Sequence, residues 1–368
     1  MQFTTKVFVL KALIDKAASV LPRGSSVQDV LRNLLIEAHD DELRMVSTDL
    51  ELTLLASSGI VSITEPGRVL VDGKRLVAIA NQAKDGDATV TLREGELDIQ
   101  APPTRWRLRT GEESSYPSLP TLDGLEWHDV DREPFVATLG RVAKAAGTDT
   151  VRANLMMVDI SDGRFRAADG ARFVQIEQDF PLDMQIPVHA VKDLLRLLKT
   201  TEATSFRCAE TDDHLVFAVG DDVFLVNRLV ANFPNVDEVL IKPALANDQE
   251  LWVDRDDFVD AVKRVRVTAD EDTGGVVLGL ESNRLMIRCS DRMGNASTEA
   301  LIVRWSGPKR EVAFQHEHLI DLLLSAPERS MRLWLGEDTK TQKAPLLLRD
   351  DDSGLLATLV QIRREYVG

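Results

Sequence analysis

Residues that could do chemistry are few in this chain and poorly spaced for it. His316-Glu317-His318 has the composition of a metal pair, yet an i, i+2 spacing turns the two imidazoles to different sides of a helix. The segment reads as a solvated helix start. Asp350-Asp351-Asp352-Ser353-Gly354 has carboxylates enough for a cation, but it lies between LLLR and LLATLV and reads as a hairpin turn. Cys208 and Cys289 fall inside apolar strands, where a thiol is buried rather than nucleophilic. There is no GxxxxGK phosphate loop, no GxGxxG and no HExxH. Nothing assembles a nucleophile, a base and an oxyanion site, so no catalytic residue, metal ligand or cofactor is expected.

Three aspartates raise a different question. LRMVSTD (43–49), GRFRAAD (163–169) and LMIRCSD (285–291) each run an alternating strand into an Asp, at spacings of 120 and 122 residues in a chain of 368. Each second strand follows an apolar strand and a polar turn, which is a hairpin pattern. Asp at that point caps backbone donors of the next turn and needs no catalytic role. Helical periodicity precedes each hairpin (8–21, 135–146, 258–269) and follows it (72–83, 188–200, 315–326). The chain therefore reads as three copies of one α+β unit, 1–122, 123–246 and 247–368, with helices packed on one face of antiparallel sheets. Such an array curves, and a curved array stays open or closes by oligomerising.

Composition sets further bounds. Apolar residues make up 44% and aromatic residues 5%, so the cores are aliphatic. The N-terminal segment has no export-signal pattern, no uncharged stretch is long enough to span a bilayer, and two cysteines make no disulfide framework. A cytoplasmic protein without a membrane partner is expected. Net charge is −16, which by itself argues against a polyanionic partner. Its distribution argues otherwise. Six helical windows hold thirteen Lys and Arg against five Asp and Glu, so they carry +8 and the remainder −24. In the window 188–199, Val191, Leu194, Leu195 and Leu198 make an apolar stripe beside a basic one of Lys192, Arg196 and Lys199. A polyanion touching only helices would be attracted there, and no base-reading device accompanies the ridge, so binding would be sequence-independent and salt-sensitive.

At full length the chain resembles the bacterial DNA polymerase III beta subunit, the sliding-clamp family. The resemblance rests on NLLIEAHDDELRMVSTDLEL (33–52), PGRVLVDGKRL (66–76), RWRLRTGEESSYPSLP (105–120), AADGARFV (167–174), NRLVANFPNVDEV (227–239) and GGVVLGLESNRLMI (274–287). It implies a head-to-tail homodimer closing a ring around duplex DNA and tethering a polymerase and a clamp loader through short linear peptides. The implied DNA contacts are Arg23 and Arg152 in loops, with Lys74, Arg75, Lys192, Arg196, Lys199, Lys263 and Arg264 on helices. The implied peptide groove comprises Leu155, Ala168, Gly170, Ala171, Arg172 and Phe173, with Pro234, Val239, Val360, Gln361 and Ile362. Read without the resemblance, Phe173, Pro234 and Val239 are plain core. The implied dimer joint sets Trp106 and Leu108, on an edge strand, against Val267 and Thr268 of the other copy, with Arg105, Arg107 and Arg109 facing acids. Two departures stand out: Ala171 replaces a histidine common in the family, and the tail LVQIRREYVG replaces the usual ending. They predict altered partner choice, as in an accessory or phage-type clamp-like scaffold.

Overall fold

The computed structural model describes residues 1–22, 28–229, 231–338 and 343–363. The chain divides into two compact units, Met1–Val136 with Lys192–Leu229 and Ala137–Val191 with Val230–Gly368. Every strand pairing among the described residues is antiparallel.

In the first unit, helices α1 (Val7–Ala17) and α2 (Gly73–Gln82) pack between two sheets. The five-stranded sheet runs from Val61–Glu65 through Gln2–Lys6, Asp87–Arg93 and Glu96–Ala101 to the edge strand Thr104–Arg109. The eight-stranded sheet has Asp222–Asn227 beside Leu52–Ser58 at its centre. Leu10, Leu13 and Ile14 of α1 and Leu76 of α2 meet Leu34, Ile36 and Met45 from one sheet and Phe3, Val90 and Ile99 from the other. Each such aliphatic side chain contributes about 2 kcal/mol by leaving water. The opposite face of the eight-stranded sheet is also covered, by Tyr116, Leu119, Leu122, Leu125 and Trp127 of one connecting segment. Strands buried on both faces lose polar alternation, which is why Glu42–Thr48 reads MVST with four buried residues in a row.

In the second unit, a nine-stranded sheet has Arg172–Glu177 beside Leu355–Leu359 at its centre, and a four-stranded sheet ends on the edge strand Ala296–Ile302. This unit holds helices α5 (Lys242–Leu245), α6 (Arg255–Val265) and α7 (His316–Leu323), and the boundaries between the units fall inside α3 (Arg132–Val142) and α4 (Val188–Thr200).

The periodic hairpins form as expected: Asn33–His39 with Glu42–Thr48, Met157–Ser161 with Arg164–Ala168, and Gly275–Glu281 with Arg284–Ser290. The three aspartates perform one structural job. Asp49 Oδ1 accepts from the N–H groups of Glu51 and Leu52, Asp169 Oδ1 from those of Ala171 and Arg172, and Asp291 Oδ1 from those of Met293 and Asn295. Each holds a tight turn between paired strands. Residues 351–354 form the turn between Leu346–Asp350 and Leu355–Leu359, and both cysteines are free and buried in strands.

Candidate functional site

The turn held by Asp169 borders a partly exposed apolar cluster in the second unit, at the place where the peptide groove is expected. Leu155, Ala168, Phe173 and Leu240 are buried together, and Phe233, Val236, Ile241, Leu356 and Val360 pack against them half-exposed. Register places the residues. Phe173 pairs with Ala168 on one side and with Thr358 on the other, and Val360 continues the central strand with its N–H on the Ala171 carbonyl at 2.8 Å. The segment carrying Phe233, Val236 and Leu240 lies over them, and Asp237–Ile241 winds as a wide helical turn before α5. Such turns recur at functional sites.

One wall of the groove is ionic. Arg172 is 9% exposed, and it donates to Asp169 Oδ2 from Nε and to Asp321 Oδ2 from Nη1, both at 2.8 Å. His318 of α7 brings Nε2 within 3.8 Å of Asp169 Oδ2. Burial, reinforced by the Arg172 charge, pushes the His318 imidazole below its ordinary value. Gly170 adopts φ +93°, and a Cβ there would sit 3.0 Å from Arg152 Nη1, so the missing side chain lets Arg152 lie against the turn.

The expected groove residues therefore divide. Leu155, Ala168, Phe173 and Val360 make the apolar floor and Gly170, Ala171 and Arg172 the turn, while Pro234 is half-buried. Val239 is 61% exposed, so it is not the plain core that its residue type suggested. Gln361 turns away. Its Nε2 donates to Asp338 Oδ1 at 3.1 Å and to the Ala344 carbonyl at 2.6 Å, while the Ile362 carbonyl takes Lys343 Nζ. Sequence reasoning missed Phe233, Val236, Leu240 and Ile241. Their signal was present: Phe233 and Val236 lie inside FPNVDEV, and Leu240 and Ile241 follow it directly.

The corresponding turn of the first unit opens on a different surface. A cleft of about 430 Å³ there is lined by Leu50, Thr48, Thr53, Thr211, Asp212 and Asp213, among others. Its lining is mostly hydroxyls and carboxylates, so the equivalent turns border an apolar cluster in the second unit and a polar cleft in the first.

The basic side chains lie where helical periodicity put them, on exposed helix faces. Lys74 and Arg75 of α2, Lys192, Arg196 and Lys199 of α4, and Lys263 and Arg264 of α6 are all exposed. Their partners differ. Lys74, Arg75, Lys192 and Lys199 have no carboxylate within salt-bridge reach among the described residues, and Arg196 meets Asp193 at 3.3 Å. Lys263 lies 3.7 Å from Asp260, and Arg264 is held by Glu299 through two bonds of 2.9 and 2.6 Å. That pair holds the Glu299 carboxyl below the usual carboxylate range. Lys16 of α1, counted among the helical cations, instead bridges Asp222 at 2.7 Å, and that carboxylate is 6% exposed. Arg152 sits at the groove turn and not on a helix face, and Arg23 lies outside the described residues.

At the sheet edges, Thr104–Arg109 is the last strand of its sheet, as expected for RWRLRTG. Leu108 is 7% exposed, and Trp106 packs half-buried on the same core. Arg105 reaches back to Asp98 of the neighbouring strand, with Nε at 2.7 Å from Oδ1. Val267 is 83% exposed, and Thr268 Oγ1 lies 2.7 Å from Ser297 Oγ on the edge strand Ala296–Ile302.

Residues 1–120 match the N-terminal domain of the DNA polymerase III beta subunit, and residues 244–359 match its C-terminal domain. The chain belongs to that family. It is 23% identical to the beta sliding clamp of Pseudomonas putida over 365 residues, covering 96% of this chain and 98% of the relative. With the beta sliding clamp of Haemophilus influenzae it is 25% identical, covering 92% and 93%. The crystal structure of the DNA polymerase III beta subunit of Pseudomonas aeruginosa superposes with a TM-score of 0.86 at 21% identity, covering 99% of this chain and all of that one. A sliding clamp from Bartonella birtlesii bound to griselimycin superposes at 0.88 and 24% identity, covering 99% of each chain. The expected α+β clamp fold is therefore the observed one, in a divergent member of the family.

Proposed function

We propose that this chain is a DNA sliding clamp, a non-enzymatic processivity factor. It encircles duplex DNA without reading sequence and tethers polymerases and other replication proteins through the groove of its second unit. The observation that carries this reading is the set of exposed cations on α2 and α4, of which Lys74, Arg75, Lys192 and Lys199 have no carboxylate partner among the described residues, in a chain of net charge −16. A phosphate backbone meeting those helices gains counterion release. Lys74, Arg75, Lys192, Arg196 and Lys199 make the principal contacts, with Lys263 and Arg264 weakened by their own acids. Arg152 belongs to the rim of the groove. The three aspartate-capped hairpins support division into domains 1–122, 123–246 and 247–368.

Closure follows from the two sheet edges. The strand Thr104–Arg109 of one copy pairs with Ala296–Ile302 of another, head to tail, which removes two unpaired edges per joint. Exposed Arg107 and Arg109 supply charge at that joint and exposed Ile302 supplies apolar area. The chain works in the cytoplasm, where a clamp loader opens the ring. No described helix is long and apolar enough to cross a membrane. The deciding experiment is topological. Protein loaded on nicked circular DNA should stay bound through gel filtration and be lost when the DNA is linearised. Equal loss from circles and linear DNA excludes encirclement.

A second reading, an accessory clamp-like scaffold with its own partners and no processivity role, is favoured by the tail. Gln361 is turned toward Asp338 and Ala344 instead of the groove. Polymerase run-length assays with and without the protein separate the two.

A further inference from the structure

The face of the nine-stranded sheet that holds the groove carries a second feature which the groove does not use. Alternate residues of a strand share a face, so register defines two neighbouring rows. One row is apolar and runs Trp334, Leu347, Thr358, Phe173 into the groove. The other runs Arg304, Trp252, Arg332 across the adjoining strands, and Arg349 pairs with Leu356, which itself lines the groove. Its arginines lie against Trp252 in the same row and Trp334 in the neighbouring one. The Arg304 Cζ lies 5.9 Å from the Trp252 ring centre, and that of Arg332 lies 4.8 Å from Trp252 and 4.6 Å from Trp334. The Arg349 Cζ lies 5.6 Å from Trp334.

The arginine Cζ atoms lie over the indole rings, and a guanidinium so placed keeps N–H capacity for an acceptor. Two acids engage part of that capacity. Glu250 accepts from Trp252 Nε1 at 3.1 Å and from Arg332 at 3.3 Å, and Asp351 takes Arg349 at 3.2 Å. Arg304 has no carboxylate partner among the described residues. The surface stays open, since Trp252 is 37% exposed and the Arg332 and Arg349 side chains are 40% and 43% exposed.

We propose that this ladder receives the acidic flank of the same partner peptide whose apolar residues occupy the groove, a proposal that rests on the groove reading above. Continuity argues for one ligand, because Leu356 belongs to both the groove and the cluster of Trp334, Leu347 and Ala244. Dimensions agree: four adjacent strands about 4.8 Å apart span about 14 Å, the reach of roughly four extended residues. Charge argues for a peptide over a nucleic acid. A peptide with two carboxylates matches the few N–H groups that Glu250 and Asp351 leave open, whereas a run of phosphates would also meet those two acids.

Fluorescence anisotropy with full-length protein tests the idea on three labelled peptides. Each has a central Leu-Phe pair, flanked by serines, by two aspartates on the N-terminal side, or by two aspartates on the C-terminal side. One aspartate flank should tighten binding about tenfold over serine, as one or two charge-assisted bonds would. Trp252→Ala and Arg332→Gln should abolish that gain and leave the serine peptide unchanged. Val360→Asp, in the groove, should abolish binding of all three. Equal affinity of the three peptides overturns the ladder while leaving the groove standing. Failure of every peptide to bind overturns the groove reading and the ladder with it. Preference for oligothymidylate over the aspartate peptides, lost in the Trp252 variant, makes the ladder a nucleic-acid surface and overturns the proposal.

Discussion

Asp169 shows how one side chain serves fold and site together. One carboxylate oxygen holds the turn through two backbone N–H groups, and the other neutralises Arg172 on the groove wall. Removing it leaves a nearly buried guanidinium short of a partner, which costs more than a lost cap. Asp169→Ala should therefore lower unfolding stability by about 3 kcal/mol, against about 1 kcal/mol for the equivalent Asp49→Ala, as urea denaturation will read. The histidines of α7 set a pH limit. Burial depresses both His316 and His318, so the unfolded chain takes up protons first as pH falls. Their contribution is complete above about pH 6.5 and is lost progressively below it. Thermal melts between pH 8 and 5 should show that decline. Burial likewise pushes the thiols of Cys208 and Cys289 up to about 12 and about 11, so iodoacetamide at pH 8 should label them only after unfolding.

Edge strands carry the proposed joint at the scale of elements. Thr104–Arg109 was legible as an edge because three arginines alternate with Trp106 and Leu108, a pattern that suits one buried and one solvated face. The sequence did not show that Leu108 packs inward on its own core, since burial of one side of a strand depends on what stands opposite. Trp106→Asp should yield monomers by light scattering, but it also disturbs that core. Ile302→Asp, at a residue 96% exposed, provides the cleaner measurement. It should break the dimer without changing the melting temperature, and an unaltered dimer would remove the proposed joint.

Charge segregation is a property of the whole molecule. Lys192→Glu with Lys199→Glu should weaken retention on DNA and lower the salt slope by about two, with stability unchanged because both side chains are exposed and unpaired. The matching reversal at Lys263 and Arg264 should weaken DNA binding less, because Asp260 and Glu299 already offset those charges.

The sequence by itself determined what is periodic: three hairpins each ending on a capping Asp, helices at their flanks, and basic residues gathered on the helices. Period and residue type are local properties, and propensity with amphipathicity expresses them without distant partners. Tertiary structure decided which of those residues are spent. Lys16 bridges Asp222 at a separation of 206 residues, Arg172 is locked by Asp321 from 149 residues away, and Gln361 is drawn off to Asp338 and Ala344. It also decided that four apolar residues of one connecting segment close over Phe173 to make the groove. Such pairings depend on chain segments that meet only when sheets form, and no local pattern encodes them.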